Sequence, residues 1–310
     1  MPPSLDLSVI VASYNTRDLL RATLRSIYDS TTRITFEVIV VDDCSPDDSV
    51  EMVRKEFPQA RLISNPVNLR YAKTNNIGLT HAMGRYGLLL NSDVCVQPGA
   101  FQALVRFMDE HPSVAAASPK LLNRDGSIQH CIRSYPGLFP MFFQSLGFHK
   151  WVPGNRFTDR YYNVRFDYSL AQPVESVGTT AFIIRRSTWE TYGKLDERFS
   201  LAFVDLAYCL MLQRNGQQVY YVPDAAVVHF GSQTIRANGP QEIRLLHQAL
   251  RVFYDSYFAE RHGALTRALV RLGIRCRQQL RLLEFRFGKD KDVFGGTGIT
   301  ASNRILTSRE

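Results

Sequence analysis

The fold is decided by the stretch Tyr86-Gly87-Leu88-Leu89-Leu90-Asn91-Ser92-Asp93-Val94. It is an apolar run that ends abruptly in three polar residues, and it is bounded by Gly84 and by Pro98-Gly99. Such a pattern is typical of a buried parallel strand that opens into a loop. In open α/β sheets, ligands bind just beyond the carboxyl ends of such strands. Two interpretations of Asp93 follow: it holds a divalent cation against substrate phosphates, or it only caps the next turn.

Strands alternate with helices on both sides of this stretch. Leu7–Ala12 and Phe36–Val41 are β-branched runs that end in the polar residues Ser13-Tyr14-Asn15 and Asp42-Asp43. Helices are predicted after a cap at Asn15 or Thr16, from the capping pattern Ser45-Pro46-Asp47-Asp48, and within Asn68–Gly78. The alternation predicts an α/β fold with a mostly parallel sheet flanked by helices. No GxGxxG follows the first strand and no GxxxxGK[ST] occurs, which disfavours the usual dinucleotide and P-loop sites.

Residues 124–175 differ in being rich in aromatic side chains interleaved with Pro and Gly. These aromatic residues are Tyr135, Phe139, Phe142, Phe143, Phe148, Trp151, Tyr161, Tyr162, Phe166 and Tyr168. They form either part of the core or an aromatic-lined surface for an acceptor. Further strands are predicted at Ala181–Ile184, Val219–Val222 and Ala226–Val228, and a helix runs up to Gly216.

The composition limits the class of protein. Hydrophobic residues make up 45% of the 310 residues, enough for the core of one large domain or two smaller ones. The net charge of +8 favours an anionic partner, although no RNP, helix-turn-helix or zinc pattern supports nucleic acid. The five cysteines form no CxxC, which favours a reducing compartment without structural zinc. Without a signal-peptide pattern or a bilayer-spanning apolar stretch, a cytoplasmic location is expected.

The segment from Pro240 onward is predicted to be helical and basic. Apolar residues recur in it at three- and four-residue spacing, at Leu265, Leu269, Leu272, Cys276, Leu283 and Phe287. Basic residues take another face, at Arg267, Arg271, Arg275 and Arg281. The helix either lies on an anionic membrane surface or packs on its own domain. The Gly/Thr/Ser-rich end from Gly288 is predicted to be disordered.

Taken in order, these motifs resemble the family 2 glycosyltransferases, and within them the rhamnosyltransferase-like branch. The matching motifs are Ser13-Tyr14-Asn15, Asp42, Arg70–Gly78, Asn91-Ser92-Asp93, Asp196-Glu197-Arg198-Phe199 and His229. The resemblance covers about residues 5–235 and implies the GT-A fold. It implies a catalytic domain over residues 1–235, with a nucleotide-sugar half of about 1–120 and an acceptor half of about 121–235. Residues 236–310 then form a basic helical C-terminal extension.

The activity implied by this resemblance is inverting, metal-dependent transfer of a sugar in polysaccharide biosynthesis of the cell envelope. The donor would be dTDP-rhamnose or a UDP-sugar, and the acceptor a hydroxyl of a saccharide or a lipid-linked sugar. A location in the cytoplasm or at the cytoplasmic membrane face follows, with an anionic membrane surface as a further candidate partner and no nucleic acid.

The resemblance also implies a role for each matching residue. Asn91 replaces the first acid of the family's DxD-type motif, so Asp93 is the main carboxylate ligand of Mg²⁺ or Mn²⁺. His229 matches the late metal-site histidine, and an imidazole suits Mn²⁺ better than Mg²⁺. The nucleotide-sugar site is expected to comprise Ser13, Tyr14 along the base, Asp42 at the pyrimidine edge, Arg70 on the diphosphate, Asn76 and Ser92.

Asp205 matches the family's general base, but its neighbours depart from the family pattern. Relatives typically read Phe-Glu-Asp-x-Asp-Leu, whereas this chain reads Phe203-Val204-Asp205-Leu206-Ala207-Tyr208. One carboxylate of three is kept. Two alternatives follow: a pseudoenzyme that binds a sugar or nucleotide without transfer, and an Asp205 that only caps its helix.

Overall fold

The computed structural model describes residues 5–30, 33–135, 163, 165–200, 202–231 and 239–287. Within these residues the strands form a single nine-stranded sheet. The strands are β1 (Leu7–Ser13), β2 (Phe36–Asp42), β3 (Arg61–Ser64), β4 (Tyr86–Asn91), β5 (Val94–Val96), β6 (Val114–Leu122), β7 (Gln172–Pro173), β8 (Ala181–Arg185) and β9 (Gln218–His229).

Helices flank this sheet, and two more follow it. They are α1 (Arg17–Ser30), α2 (Ser49–Glu56), α3 (Arg70–His81), α4 (Ala100–Glu110), α5 (Arg186–Tyr192), α6 (Val204–Arg214), α7 (Gly239–Tyr257) and α8 (Ala264–Arg286), with a 3-10 turn at Ala259–Arg261. None of the helices in the described part of the chain combines the length and the apolarity that crossing a membrane requires.

The strand order is β3-β2-β1-β4-β8-β6-β9-β5, with β7 beside β9. β1 to β4 run parallel to one another, whereas β8 is antiparallel to both β4 and β6. β6 and β9 are again parallel, and β5 pairs antiparallel with β9. The predicted α/β class is therefore confirmed, with a parallel first half and a mixed second half.

The apolar runs form central strands because both faces of the sheet are covered. In β4, Leu88 and Leu90 belong to one core cluster and Leu89 to the other, and all three are buried. The parallel register then aligns strand ends, with Ser13 opposite Asp42 and Ala12 opposite Asn91. The polar loops after β1, β2 and β4 consequently emerge at one edge of the sheet.

Two predicted element boundaries are wrong. The helix expected from Ser45 begins at Ser49, since the Ser45 hydroxyl accepts a hydrogen bond from the Asn15 N–H (2.9 Å) and Asp47 accepts that of Ser49 (3.2 Å). The two strands expected around residues 219–228 are one continuous strand, β9, because only a local register irregularity opposite Pro119 separates them.

The described aromatic residues of the 124–175 region pack rather than line a surface. Phe166 and Tyr168 lie edge to face at 4.8 Å, and Tyr168 meets Tyr221 of β9 at 5.3 Å. Tyr168 is buried, and Tyr135 is half-buried. The other aromatic residues of that region, and the end of the chain from Gly288, lie outside the described residues.

Helix α7 packs onto this sheet domain, and α8 packs on α7. Phe253 of α7 is fully buried and stacks on Phe203 with ring centroids 5.2 Å apart. Gly239 lets α8 approach, since a Cβ at that position would clash with the Phe285 ring. The start of α7 therefore lies against the loops that surround the strand ends.

Candidate active site

A chain of hydroxyl groups joins the ends of β1 and β4. Thr16 Oγ1 lies 3.1 Å from Ser13 Oγ and 2.8 Å from Ser92 Oγ. The Thr23 hydroxyl donates to the Ser92 carbonyl at 2.9 Å. The structure thus brings together Ser13 and Ser92, two predicted donor-site residues. Thr16 connects them, although the sequence indicated it only as a possible helix cap.

Asp42 is buried at the end of β2 with one carboxylate oxygen unused. Its Oδ2 accepts the Ser45 N–H at 3.0 Å. Its Oδ1 is buried and has no hydrogen-bond partner in the described part of the chain. A buried acceptor without a partner is costly, so an N–H group of a ligand would stabilise it. Tyr14, which is predicted to lie along the base of the nucleotide, follows Ser13 in the neighbouring loop and is half-buried.

Asp43 organises the loop before α3, a role that the sequence motifs did not reveal. Its Oδ1 accepts the Leu69 N–H at 2.8 Å and the Asn65 side-chain amide at 2.9 Å. Its Oδ2 accepts the Arg70 N–H at 2.9 Å. These bonds hold Arg70 at a φ of 71°, a left-handed conformation that a non-glycine residue rarely adopts. The only signal in the sequence was a second acid directly after the strand.

Arg70, the predicted diphosphate ligand, is ion-paired with α7 in this structure. Its Nη1 lies 3.2 Å from Glu242 Oε1, and Glu242 is almost completely buried. Burial raises the pKa of Glu242, and the charge of Arg70 acts in the opposite direction. The second carboxylate oxygen of Glu242 has no hydrogen-bond partner among the described residues. Glu242 is thus an unforeseen neighbour of the predicted donor site.

Asn76 is also predicted to bind the donor, but the hydrogen bonds of its side chain are with a different segment of the chain. Its Nδ2 donates to the Leu195 carbonyl at 2.9 Å and to Glu197 Oε1 at 3.0 Å. Its Oδ1 accepts the Leu195 N–H at 3.0 Å. Both ends of the amide are therefore engaged in holding the segment that begins at Leu195, and we assign Asn76 a structural role instead.

Asp93 and His229 lie side by side because β5 and β9 pair with Val94 opposite His229. His229 Nε2 is 3.3 Å from Asp93 Oδ1, and both side chains are nearly buried. The other ring nitrogen, Nδ1, is 2.8 Å from Oε1 of Gln129. An amide oxygen only accepts hydrogen bonds, so this contact places a proton on Nδ1, and a neutral ring so oriented has its lone pair on Nε2. Sequence motifs gave no sign of Gln129.

The Asp93–His229 pair fits a divalent cation by its chemistry. His229 Nε2 is buried without a hydrogen-bond partner in the described residues, and a carboxylate oxygen faces it. No group of three or more His, Cys, Asp or Glu side chains in the described ranges could hold a metal ion. Phosphate oxygens of a donor and water would have to complete the coordination. One nitrogen and one oxygen ligand suit Mn²⁺ at least as well as Mg²⁺.

Asp205 lies in the first turn of α6 but does not cap it. The residue before the helix is Phe203, with a φ of 66°, and no side chain caps the terminus. Asp205 Oδ1 accepts the N–H of its neighbour Leu206 at 2.9 Å. Burial raises the pKa of the Asp205 carboxyl, against the opposing effects of that hydrogen bond and of the Arg133 charge. Burial is thus the dominant influence on the pKa of this carboxyl.

Tyr71 lies within electrostatic reach of both Asp205 and Asp93. Its hydroxyl donates to the Thr179 carbonyl at 2.8 Å. Burial raises the pKa of Tyr71, and the charges of Asp205 and Asp93 raise it further. The predicted base and the predicted metal ligand therefore both influence the same tyrosine. No motif of the sequence had singled out Tyr71.

Val204 and Ala207, the two departures from the family pattern, are packing residues. Both are buried and belong to the core cluster on the α6 side of the sheet. Asp205, between them, is half-buried. The replacement of two family carboxylates by Val204 and Ala207 therefore adds apolar contacts, and the carboxylate at position 205 is kept.

Comparisons with known proteins agree with this geometry. The family model for glycosyl transferase family 2 matches residues 8–187. The chain is 26% identical over 280 residues to an N-acetylglucosaminyl-diphospho-decaprenol L-rhamnosyltransferase of Mycobacterium tuberculosis, covering 87% of this chain and 89% of that protein. It is also 27% identical over 242 residues to the O-antigen biosynthesis protein RfbC of Myxococcus xanthus, covering 76% of this chain and 18% of that protein.

Two solved structures share the fold. One is GalNAc-T7 with UDP, GalNAc and Mn²⁺, with a TM-score of 0.59 and 15% identity over 83% of this chain. The other is S. aureus TarS, with a TM-score of 0.52 and 19% identity over 81% of this chain. The chain spans 48% and 44% of those two proteins. At such identities the likeness concerns the fold alone, and it confirms the expected GT-A architecture.

Proposed function

The chain belongs to glycosyl transferase family 2, and from this premise we propose that it transfers a sugar from a nucleoside-diphosphate donor to an acceptor hydroxyl with inversion at the anomeric carbon. The observation that carries the proposal is the Asp93–His229 pair, with its 3.3 Å separation and a buried, unpartnered Nε2 at the ligand-binding edge of the sheet.

The proposed donor is dTDP-rhamnose, with a UDP-sugar as the second choice. Both bases are pyrimidines that carry a ring N–H, and the unpartnered Oδ1 of Asp42 is suited to accept it. The rhamnosyltransferase relative supports rhamnose, and the UDP in the GalNAc-T7 structure supports a UDP-sugar. Tyr14 would lie along the base, while Ser13 and Ser92 would contribute hydroxyl groups.

The diphosphate is proposed to meet a cation held by Asp93 and His229, either Mn²⁺ or Mg²⁺. When bound, that cation supplies positive charge that stabilises the leaving diphosphate. Gln129 keeps the His229 ring oriented through its 2.8 Å contact with Nδ1. Arg70 would contribute a second positive charge, which its 3.2 Å ion pair with Glu242 partly neutralises.

Asp205 is proposed as the general base. It would accept the proton of the acceptor hydroxyl while that oxygen bonds to the anomeric carbon and the bond from that carbon to the diphosphate breaks. A carboxylate whose pKa is raised by burial holds that proton better than a solvated one. The charges of both Asp205 and Asp93 act on Tyr71, which places the proposed base and the proposed cation site in one electrostatic environment.

The proposed acceptor is a lipid-linked saccharide, and the proposed location is the cytoplasmic face of a membrane. The relative from Mycobacterium tuberculosis supports this acceptor, because its name describes transfer to N-acetylglucosaminyl-diphospho-decaprenol. The RfbC relative supports a role in the synthesis of a surface polysaccharide. No feature of the described residues supports nucleic acid as a partner.

A protein that binds the donor without transferring its sugar is the alternative, favoured by Val204 and Ala207 in place of family acids. Calorimetry with dTDP and UDP, with and without Mn²⁺, followed by mass spectrometry of a polyprenyl-diphosphate-sugar acceptor incubated with each donor, separates the two. Sugar transfer supports the proposal. Metal-dependent binding of a nucleotide without any transfer supports the alternative, and no nucleotide binding overturns both.

A further inference from the structure

Helix α8 carries an apolar stripe that is exposed along its whole length. The stripe consists of Leu265, Leu269, Leu272, Cys276, Leu280, Leu283 and Phe287. Its leucines and Phe287 are 48–75% exposed. With about 100° between successive helical residues, these side chains fall within an arc of about 80°. The sequence pattern had predicted this stripe without Leu280.

The opposite side of α8 is the one that packs on the protein. Ile274 and Arg281 are its buried residues, and Phe285 contacts Gly239 at the start of α7. Both buried residues lie about 150° around the helix from the centre of the stripe. Arg281, expected on the outer basic face, is 2.6 Å from Glu284 instead. The fold therefore uses one face of α8 and leaves an apolar face turned outward.

The charge of α8 indicates what would cover that face. The helix contains six arginines and one glutamate. Two copies of the helix paired along their stripes would bring like charges together, which disfavours a dimer. Arg275 and Arg286 are exposed beside the stripe, and an anionic surface would complement them. An amphipathic helix of this composition lies in the plane of a bilayer, with its apolar side chains among the acyl chains.

We propose that the stripe of α8 is a docking surface for a bilayer of anionic lipid. The inference rests on the proposed function only in that a lipid-linked acceptor lies in such a bilayer. Because α7 connects α8 to the site through Glu242 and Phe253, docking would fix the orientation of the site relative to the membrane. The 23 residues of α8 span about 34 Å along the surface.

Vesicle sedimentation of the full chain tests this proposal without donor or acceptor. Vesicles of phosphatidylglycerol mixed with phosphatidylcholine are compared with vesicles of phosphatidylcholine alone. The apolar variant is L269Q/L283Q, and the charge variant is R275Q/R286Q. The matched control is L170Q, because Leu170 is 60% exposed and Leu269 is 59% exposed, but Leu170 lies outside α8. Thermal melts of each variant check the fold.

The wild-type chain and L170Q should sediment with the anionic vesicles only. Both α8 variants should bind at least about tenfold more weakly, with unchanged melting. Failure of the wild-type chain to sediment, or equal binding by L269Q/L283Q and L170Q, overturns the proposal. The proposal is also overturned if light scattering shows that the wild-type chain is a dimer and that L269Q/L283Q is a monomer. Sugar transfer to a detergent-solubilised acceptor is measured in parallel. This assay needs no membrane, so it tests the proposed function independently of the docking proposal.

Discussion

His229 Nε2 faces Asp93 Oδ1 at 3.3 Å, with the ring proton on the far nitrogen directed at Gln129. A neutral ring in this orientation offers the Nε2 lone pair on the same side as the Asp93 carboxylate, so the pair can supply one nitrogen and one oxygen to a metal ion. This arrangement leads to the first two predictions.

Asp93→Ala should remove the dependence of nucleotide binding on Mn²⁺. Wild-type protein should bind dTDP more tightly with Mn²⁺ than without it, because the cation links the carboxylate to the diphosphate. The variant should bind dTDP equally weakly in both conditions, as measured by isothermal titration calorimetry. Asp224→Ala is the control, since Asp224 is an exposed carboxylate on the same strand as His229. If the wild-type protein binds dTDP with the same affinity with and without Mn²⁺, the assignment of Asp93 is contradicted.

Gln129→Leu should weaken Mn²⁺ affinity about 10–100-fold, the usual effect of losing the partner that orients a ligating histidine. The ring would then be free to rotate or to carry its proton on Nε2. Gln129→Glu keeps an oxygen acceptor 2.8 Å from Nδ1 and should retain most of the affinity. Electron paramagnetic resonance of free Mn²⁺ measures both variants without any need for activity. Equal affinities in the leucine and glutamate variants would mean that Gln129 has no orienting role.

Arg70→Gln should lower the free energy of unfolding, because it leaves Glu242 buried without a cation. We expect a loss of roughly 1–3 kcal/mol, less than for a fully buried pair, since 28% of the Arg70 side chain is exposed. Adding Glu242→Gln should restore most of the loss by removing the buried charge. Urea denaturation of the two single variants and the double variant measures this coupling.

The same variants separate the structural role of Arg70 from its proposed role on the diphosphate. Glu242→Gln alone should strengthen dTDP binding, because a carboxylate no longer neutralises the charge of Arg70. Arg70→Gln should weaken dTDP binding in either background. If both single variants bind dTDP as the wild-type chain does, Arg70 serves only to hold α7.

The strands around the site were predictable because their signals are local. The run Leu88–Leu90 and the β-branched residues of β1 and β2 are buried on both faces, and their polar endings mark the ligand edge. The insertion of β8 between β4 and β6 was not predictable, since antiparallel pairing of strands roughly 70 to 100 residues apart leaves no periodic pattern.

The site residues that the sequence missed share one property. Gln129 is 100 residues from His229, and Glu242 is 172 residues from Arg70. Each is a single polar residue whose partner is set by the packing of distant elements, so no spacing rule points to it. Conversely, Asn76 belonged to a family motif, but its amide is engaged by the backbone at Leu195. Motif order indicated the edge of the sheet where the strand-terminal side chains meet, but it did not indicate which of these side chains already bind the backbone.

The acid–base behaviour of Asp205 gives the last prediction. Burial raises the pKa of this carboxyl above its value in the unfolded chain. Between those two values the folded state binds more protons than the unfolded state, so stability falls as pH rises through that interval. Asp205→Asn removes the titrating group and keeps the shape. Its melting temperature should equal that of the wild-type chain at low pH, and match or exceed it above the raised pKa.

Asp205→Asn should at the same time abolish transfer while leaving the donor bound. Losing a general base costs roughly 10²–10⁴ in rate, whereas losing a helix-terminal hydrogen bond costs about 1 kcal/mol of stability. Because the Leu206 N–H can still donate to the amide oxygen of the new side chain, no structural loss is expected. Single-turnover transfer to acceptor, calorimetry with dTDP, and melts across the pH range measure the three properties on one variant. Wild-type turnover in Asp205→Asn would exclude it as the base and direct the search to Asp196 and Glu197, on the segment that Asn76 holds in place.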